Sequence, residues 1–305
     1  MITPKLTVNI SGIKMRNPVM VASGTFGYGE GYENLVPLDK LGAIVTKGIT
    51  MDERSGNPSP RICETPSGML NAIGLQNVGL KNFINERLPY LRQFDVPVIV
   101  NICGESVDEY VELSKRLSEV SGIAGLEVNI SCPNVQRGGM IFGKDPDLTY
   151  EVVSKVRKST HLPLIVKLTP NVGDITCIAN SARLAGCDAI SLINTLTAMA
   201  IDIHTRKPKL ATITGGLSGP AIKPVAIRMV WEVAKAINLP IIGQGGIMDA
   251  QDALEFIIVG ASAVSVGTGN FVNPMATLEI IDGIRRYMIE HRIDEIDQLI
   301  GSVKV

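Results

Sequence analysis

The sequence predicts an α/β protein of the (β/α)8 (TIM) barrel class, with an N-terminal β-hairpin. Three observations carry that prediction. Eight short apolar runs rich in Val and Ile recur at 18–22, 43–48, 97–103, 126–131, 164–169, 189–195, 240–245 and 263–267. Such runs suit strands covered on both faces. Segments with apolar residues near a 3.6-residue period lie between them, at 107–120, 149–158, 175–185, 221–236 and 250–259. Strand–helix alternation repeated eight times implies a parallel sheet that can close. An open doubly wound sheet is the alternative, but no early G-x-G-x-x-G follows the first run.

Taken in order, residues 6–10 and 13–15 alternate around Ser11-Gly12, which predicts a hairpin at the barrel floor. The second run ends in Thr46-Lys47-Gly48, the third in Asn101-Ile102-Cys103, and the fourth in Asn129-Ile130-Ser131. The fifth run carries Lys167 near its end, and the sixth closes in Ile193-Asn194-Thr195. Pro220 suits the first turn of the helix expected at 221–236. The stretches 132–147 and 196–220 read as long irregular loops on the face where the strands end, and long loops in a compact domain tend to be functional. No linker or low-complexity segment divides the chain, so residues 1–305 read as one domain.

With 305 residues, the chain can bury a large core. Its 45% hydrophobic and 19% charged residues are ordinary for a globular enzyme. A net charge of −1 offers no electrostatic footprint for nucleic acid or an anionic membrane. Met1-Ile-Thr-Pro-Lys lacks the basic and apolar regions of a signal peptide, and no apolar run approaches the roughly 20 residues that span a bilayer. Five cysteines at 63, 103, 132, 177 and 187 include no C-x-x-C pair, so neither zinc nor an iron–sulfur cluster is expected here. Reduced thiols and a cytoplasmic location are expected.

Strand alternation sets the first chemical argument. Glu127, Asn129 and Ser131 share one face of their run, opposite Leu126, Val128 and Ile130. The outer face must meet helices, so the polar face points into the barrel. The same parity aims Lys47, Asn101 and Lys167 inward. Each alone could be satisfied by backbone or water. Four together, at the strand ends where α/β barrels build active sites, point to a binding centre. Glycines make a second constellation: Gly243-Gln-Gly-Gly-Ile after the seventh run and Gly267-Thr-Gly after the eighth. Such backbone can approach an anion closely, and a following helix adds its positive end, which fits a phosphate. Gly215 to Pro220 form a further glycine-rich approach to a helix.

Cys132, in Ser131-Cys-Pro-Asn134, is the candidate proton acceptor. A thiol titrates near pH 8.5, far closer to neutrality than a hydroxyl. An inert buried cysteine is the plainer reading, and Cys103 is a weaker rival without the flanking Pro and Asn. His161, His204 and His291 form no triad or metal set, and Glu127 is the only acid among the strand-end residues.

Together these residues resemble the dihydroorotate dehydrogenases. The similarity covers nearly the whole chain and rests on Ala22-Ser-Gly-Thr-Phe-Gly, Thr46-Lys-Gly-Ile-Thr, Asn71-Ala-Ile-Gly-Leu-Gln-Asn, Asn129-Ile-Ser-Cys-Pro-Asn, Val166-Lys-Leu-Thr-Pro-Asn, Ile193-Asn-Thr, Gly215-Gly-Leu-Ser-Gly-Pro, Gly245-Gly-Ile and Gly267-Thr-Gly. The cysteine in Ser-Cys-Pro-Asn looks like the soluble class. Arg137-Gly-Gly-Met-Ile-Phe-Gly-Lys-Asp-Pro looks like its NAD-linked branch, class 1B.

The resemblance implies an FMN-binding barrel that oxidises (S)-dihydroorotate to orotate in pyrimidine biosynthesis. Carried over residue by residue, it implies FMN contacts at Ser23, Lys47, Gly48, Asn101, Asn129, Lys167, Ile193, Gly219, Gly245, Gly246, Gly267 and Thr268. It implies substrate contacts at Lys47, Asn71, Ala72, Ile73, Gly74, Leu75, Asn129, Asn134, Asn194 and Thr195, with Cys132 taking the C5 proton. It also implies a partner electron-transfer subunit holding FAD and a [2Fe–2S] cluster, and a heterotetramer built on a homodimer core. Three alternatives remain at this point: a stand-alone fumarate-linked dihydroorotate dehydrogenase, an FMN-dependent tRNA-dihydrouridine synthase, and a barrel binding a phosphorylated ligand without redox chemistry.

Overall fold

The structure is a computed structural model describing residues 3–131 and 142–304. Eight parallel strands close into a barrel: Val19–Val21, Ala43–Val45, Val98–Ile102, Gly125–Asn129, Leu164–Lys167, Ala189–Leu192, Ile241–Gln244 and Ala263–Val266. Each pairs with the next in sequence, and Val264 beside Val19 closes the ring. Every position of Val98–Ile102 and Gly125–Asn129 is buried. Helices cover the outer face of these strands while the inner faces fill the barrel, so the runs are largely apolar, with their polar residues kept to the inner face and the mouth.

The helices begin where local capping chemistry dictates. Val107–Ser118 starts at Ser106, whose hydroxyl accepts from the Glu109 N–H. Ile175–Leu184 starts at Asp174 and Ala250–Ile258 at Asp249, each carboxylate accepting from the first turn. Pro146–Ser159 begins three residues before the periodicity predicts, because Asp145 caps it and Pro146 fits its first turn. His161 lies just beyond the end of that helix. Pro220–Ile222 forms a 3-10 turn leading into Lys223–Ala236. Ala276–Glu290 packs against Ala250–Ile258 on the outside of the barrel.

The predicted hairpin is present as Val8–Ile10 paired with Ile13–Met15. Ser11 and Gly12 both take positive φ (50° and 101°), the two-residue turn whose twist suits a tight hairpin. It does lie at the floor: Ser11 Oγ donates to Asp188 O at 2.6 Å, just before the sixth strand begins.

One expectation needs correction. The segment 196–220, read as irregular, carries four short strands. Ile201–Asp202 pairs with Lys207–Pro208 as a two-stranded ribbon. Leu196–Met199 and Thr214–Ser218 join Gly68–Asn71 and Ile62–Thr65 in a four-stranded antiparallel sheet over the barrel mouth. Gly215 and Gly216 weaken the local strand signal, yet the packing needs them. A Cβ at Gly216 would lie 2.0 Å from Thr195 Oγ1, and one at Gly215 would lie 2.7 Å from Asn71 O. Among the described residues, no helix is long and apolar enough to cross a membrane.

Candidate active site

The barrel strands deliver their polar ends to one pocket. Ser23 follows the first strand, Lys47 and Gly48 follow the second, and Asn101, Asn129 and Lys167 lie in the third to fifth. Ile193, Asn194 and Thr195 follow the sixth, Gly245 and Gly246 the seventh, and Gly267 and Thr268 the eighth. The mouth sheet adds Met69, Asn71 and Ser218, and the turn after it adds Ile73, Gly74 and Leu75. Strand parity thus places Lys47, Asn101, Asn129 and Lys167 on the inner face, as predicted.

Two cationic positions differ in their surroundings. Lys167 is 5% exposed. Its Nζ donates to Gln244 Oε1 at 3.2 Å and to Ser23 Oγ at 3.4 Å, and lies 3.7 Å from Glu127 Oε1. Lys47 is half-buried. Burial, and secondarily the nearby Arg61 guanidinium, pull its pKa below the ordinary lysine value. Arg61 is held by Gln76 Oε1 at 2.7 Å. A partly desolvated ammonium beside a second cation is a site for an anion, since a carboxylate would relieve both penalties.

Between the lysines runs a chain of amides. Asn101 Nδ2 donates to Glu127 Oε1 at 2.6 Å, and Asn129 Nδ2 donates to Asn101 Oδ1 at 3.4 Å. Ser131 Oγ donates to Asn129 Oδ1 at 2.8 Å, and Asn194 Nδ2 donates to Ser131 Oγ at 2.8 Å. Every member has its orientation set by the next. Such a wall of oriented amides matches a planar ligand that carries both N–H and C=O groups.

The opposite wall is glycine. Gly245 and Gly246 take φ of 124° and 81°. A Cβ at Gly246 would meet Gly219 O at 2.8 Å and Lys223 N at 2.9 Å. The backbone therefore forms the surface itself. The helix end expected behind the eighth strand is slight, because Gly269–Val272 is a single turn.

Sequence reasoning missed two residues here. Gln244 Nε2 and Ser265 Oγ line the pocket, are buried, and have no hydrogen-bond partner among the described residues. They sit side by side in register on the seventh and eighth strands. The parity argument that found Lys167 applies equally to Gln244, the last residue of its strand. Buried polar atoms without partners cost free energy, so a ligand bearing polar edges is the natural complement. Arg61 was also missed, for its effect on Lys47 arises only from the fold.

Of the expected substrate residues, Ala72 does not line the pocket; it packs in a small apolar cluster with Leu70 and Leu210. Cys132 and Asn134 lie outside the described residues. Cys103, the rival thiol, is buried, and its Sγ donates to Asn101 Oδ1 at 3.4 Å.

Comparison with known proteins adds an independent finding. A family model described as dihydroorotate dehydrogenase matches residues 5–288. The chain is 58% identical over 305 residues to the "Dihydroorotate dehydrogenase B (NAD(+)), catalytic subunit" of Geotalea daltonii, covering 100% of both proteins. It is 58% identical over 300 residues to the like-named protein of Geotalea uraniireducens, covering 98% of each. It is 53% identical over 300 residues to that of Thermoanaerobacter pseudethanolicus, covering 98% of this chain and 99% of the relative.

Proposed function

Because the chain belongs to the dihydroorotate dehydrogenase family, we propose that it is the catalytic subunit of an NAD+-linked enzyme oxidising (S)-dihydroorotate to orotate in pyrimidine biosynthesis. The observation that carries this reading is the convergence of Lys47, Asn71, Asn129 and Asn194 on one pocket beside Lys167 and a glycine wall. FMN fits that pocket. The unpartnered Gln244 Nε2 and Ser265 Oγ supply donors for a polar ring edge, and Gly246 leaves no side chain in the way. Ser23, Gly48, Asn101, Ile193, Gly219, Gly245, Gly267 and Thr268 line the rest of the proposed FMN site. When bound, FMN supplies the two-electron acceptor for the hydride leaving C6 of the substrate.

The chain's own residues do the remainder. Lys47 takes the substrate carboxylate, assisted by the turn at Ile73, Gly74 and Leu75. Asn71, Asn129, Asn134, Asn194 and Thr195 meet the ring's alternating donors and acceptors. Cys132 takes the proton from C5. Lys167, at the pocket wall, would offer positive charge to the bound FMN, whose reduced form is the more negative. The word "subunit" in the relatives' names supports a partner. We assign it FAD and a [2Fe–2S] cluster that carry electrons to NAD+, in a heterotetramer of two catalytic and two electron-transfer subunits.

Turnover of dihydroorotate with NAD+, with and without a candidate iron–sulfur flavoprotein partner, tests the reading. Turnover only in the reconstituted mixture is expected. A purified chain that carries no FMN and reduces no dye with dihydroorotate would sink it.

A further inference from the structure

Glu127 is a buried carboxylate with no part in the scheme above. It is 2% exposed, sits inside the barrel, and does not line the pocket. Three polar side chains offer it hydrogen or positive charge. Asn101 Nδ2 donates to Oε1 at 2.6 Å, Ser191 Oγ donates to Oε2 at 2.8 Å, and Lys167 Nζ lies 3.7 Å from Oε1. These partners come from the third, fifth and sixth strands, while Glu127 stands in the fourth.

Two consequences follow. An ionised carboxylate only accepts hydrogen bonds. It therefore forces Asn101 to turn its NH2 downward and its Oδ1 toward Asn129. Asn129 must then present its NH2 to Asn101 and its Oδ1 to Ser131, whose Oγ accepts from Asn194. Glu127 stands at the head of this relay and sets its direction. It also compensates the charge of Lys167, the cation at the fifth strand's end.

We propose that Glu127 is a positioning residue for the pocket: it orients the amides of Asn101, Asn129 and Asn194 and moderates the positive field that Lys167 casts on the bound redox group. This deepens the reading of the site as an FMN site and rests on it. By compensating Lys167, Glu127 keeps the acceptor from holding its electrons too tightly to pass them on. Without it, an uncompensated ammonium would favour the reduced, more negative ring.

Two measurements test this. In the FMN-loaded protein, Glu127→Gln should shift the equilibrium between oxidised and reduced flavin at least tenfold toward reduced, a rise of about 30 mV for a two-electron couple. Glu127→Asp, which keeps the charge, should return the potential toward the unmodified value. An unchanged or lowered potential in Glu127→Gln overturns the proposal. The second measurement needs no cofactor. In the apo-protein, Glu127→Gln removes the carboxylate beside the buried Lys167, leaving it only its neutral partners Gln244 and Ser23, and should lower the thermal midpoint. Adding Lys167→Gln should recover part of the loss, because removing both charges costs less than removing one. A double variant no more stable than the single one, or equally unable to fold, overturns the pairing. If the unmodified chain binds no FMN, the FMN reading fails while this thermal cycle still reports on the pair.

Discussion

Asn194 Nδ2 donates to Ser131 Oγ at 2.8 Å, fastening the segment after the sixth barrel strand to the residue that precedes Cys132. The two residues are 63 positions apart in sequence. Asn194 also lines the pocket, and its Oδ1 accepts from the Thr195 N–H at 2.8 Å. The chain thus reaches Cys132 from a point already locked to the proposed substrate-binding face. This lock fixes Ser131, the residue next to the proposed base.

Replacing Cys132 with Ala should leave FMN bound and slow flavin reduction by dihydroorotate roughly 10²–10⁴-fold, the usual contribution of a positioned base. Stopped-flow absorbance near neutral pH reads the rate. Near-normal reduction would remove the thiol from the mechanism.

Lys47→Ala should weaken orotate binding by about 1.5–3 kcal/mol, the range for hydrogen bonds to charged groups. FMN occupancy must be matched between the proteins, since Lys47 is also assigned to the cofactor. An unaltered orotate titration in FMN-replete protein would contradict the assignment.

The same lysine predicts a pH dependence. Its pKa in the free protein is lowered, chiefly by burial and secondarily by Arg61. A bound carboxylate favours the protonated form, so the complex holds Lys47 protonated to higher pH than the free protein does. Orotate affinity should be full below the free-state pKa and fall as pH rises through it. That fall should begin below the ordinary lysine value of 10.5. Titrations across the alkaline range check this, and an affinity flat up to that value would count against Lys47 as the anchor.

NAD+ should be reduced poorly by this chain alone, while artificial dyes should be reduced readily with dihydroorotate. In the proposed reading FMN and substrate would fill the pocket, and no Rossmann fingerprint follows an early strand. Equal rates with NAD+ and dyes in partner-free protein would end the two-subunit reading.

Gly246→Ala should lower both thermal stability and FMN retention. Its φ of 81° is strained for a side chain, at about 1–3 kcal/mol. Its Cβ would also press on Gly219 O and Lys223 N. Gly173→Ala, with nothing within 4 Å of the added carbon, serves as the control and should behave as the parent. Equal thermal midpoints for the two variants would show that the close packing of the glycine wall is not needed.

The barrel and its inward polar residues are determined by the sequence itself. Strand parity is a local, two-residue rhythm, so the inward aim of Asn129 and Lys167 follows from their neighbours. Capping is equally local, as at Ser106 and Asp174. Only the tertiary structure decided the rest. The mouth sheet pairs Asn71 with Gly216, 145 positions away, through strands that hold Gly68, Gly215 and Gly216 and so lack the Val- and Ile-rich signal of the barrel strands. Arg61 depresses Lys47 only because folding brings two cations together. Glu127 is legible as an inward acid, but its grip on Asn101, Ser191 and Lys167 joins four strands. Side-chain direction along a strand is fixed by bonds between adjacent residues, whereas the energy of a buried charge depends on every group packed around it, wherever that group lies in the chain.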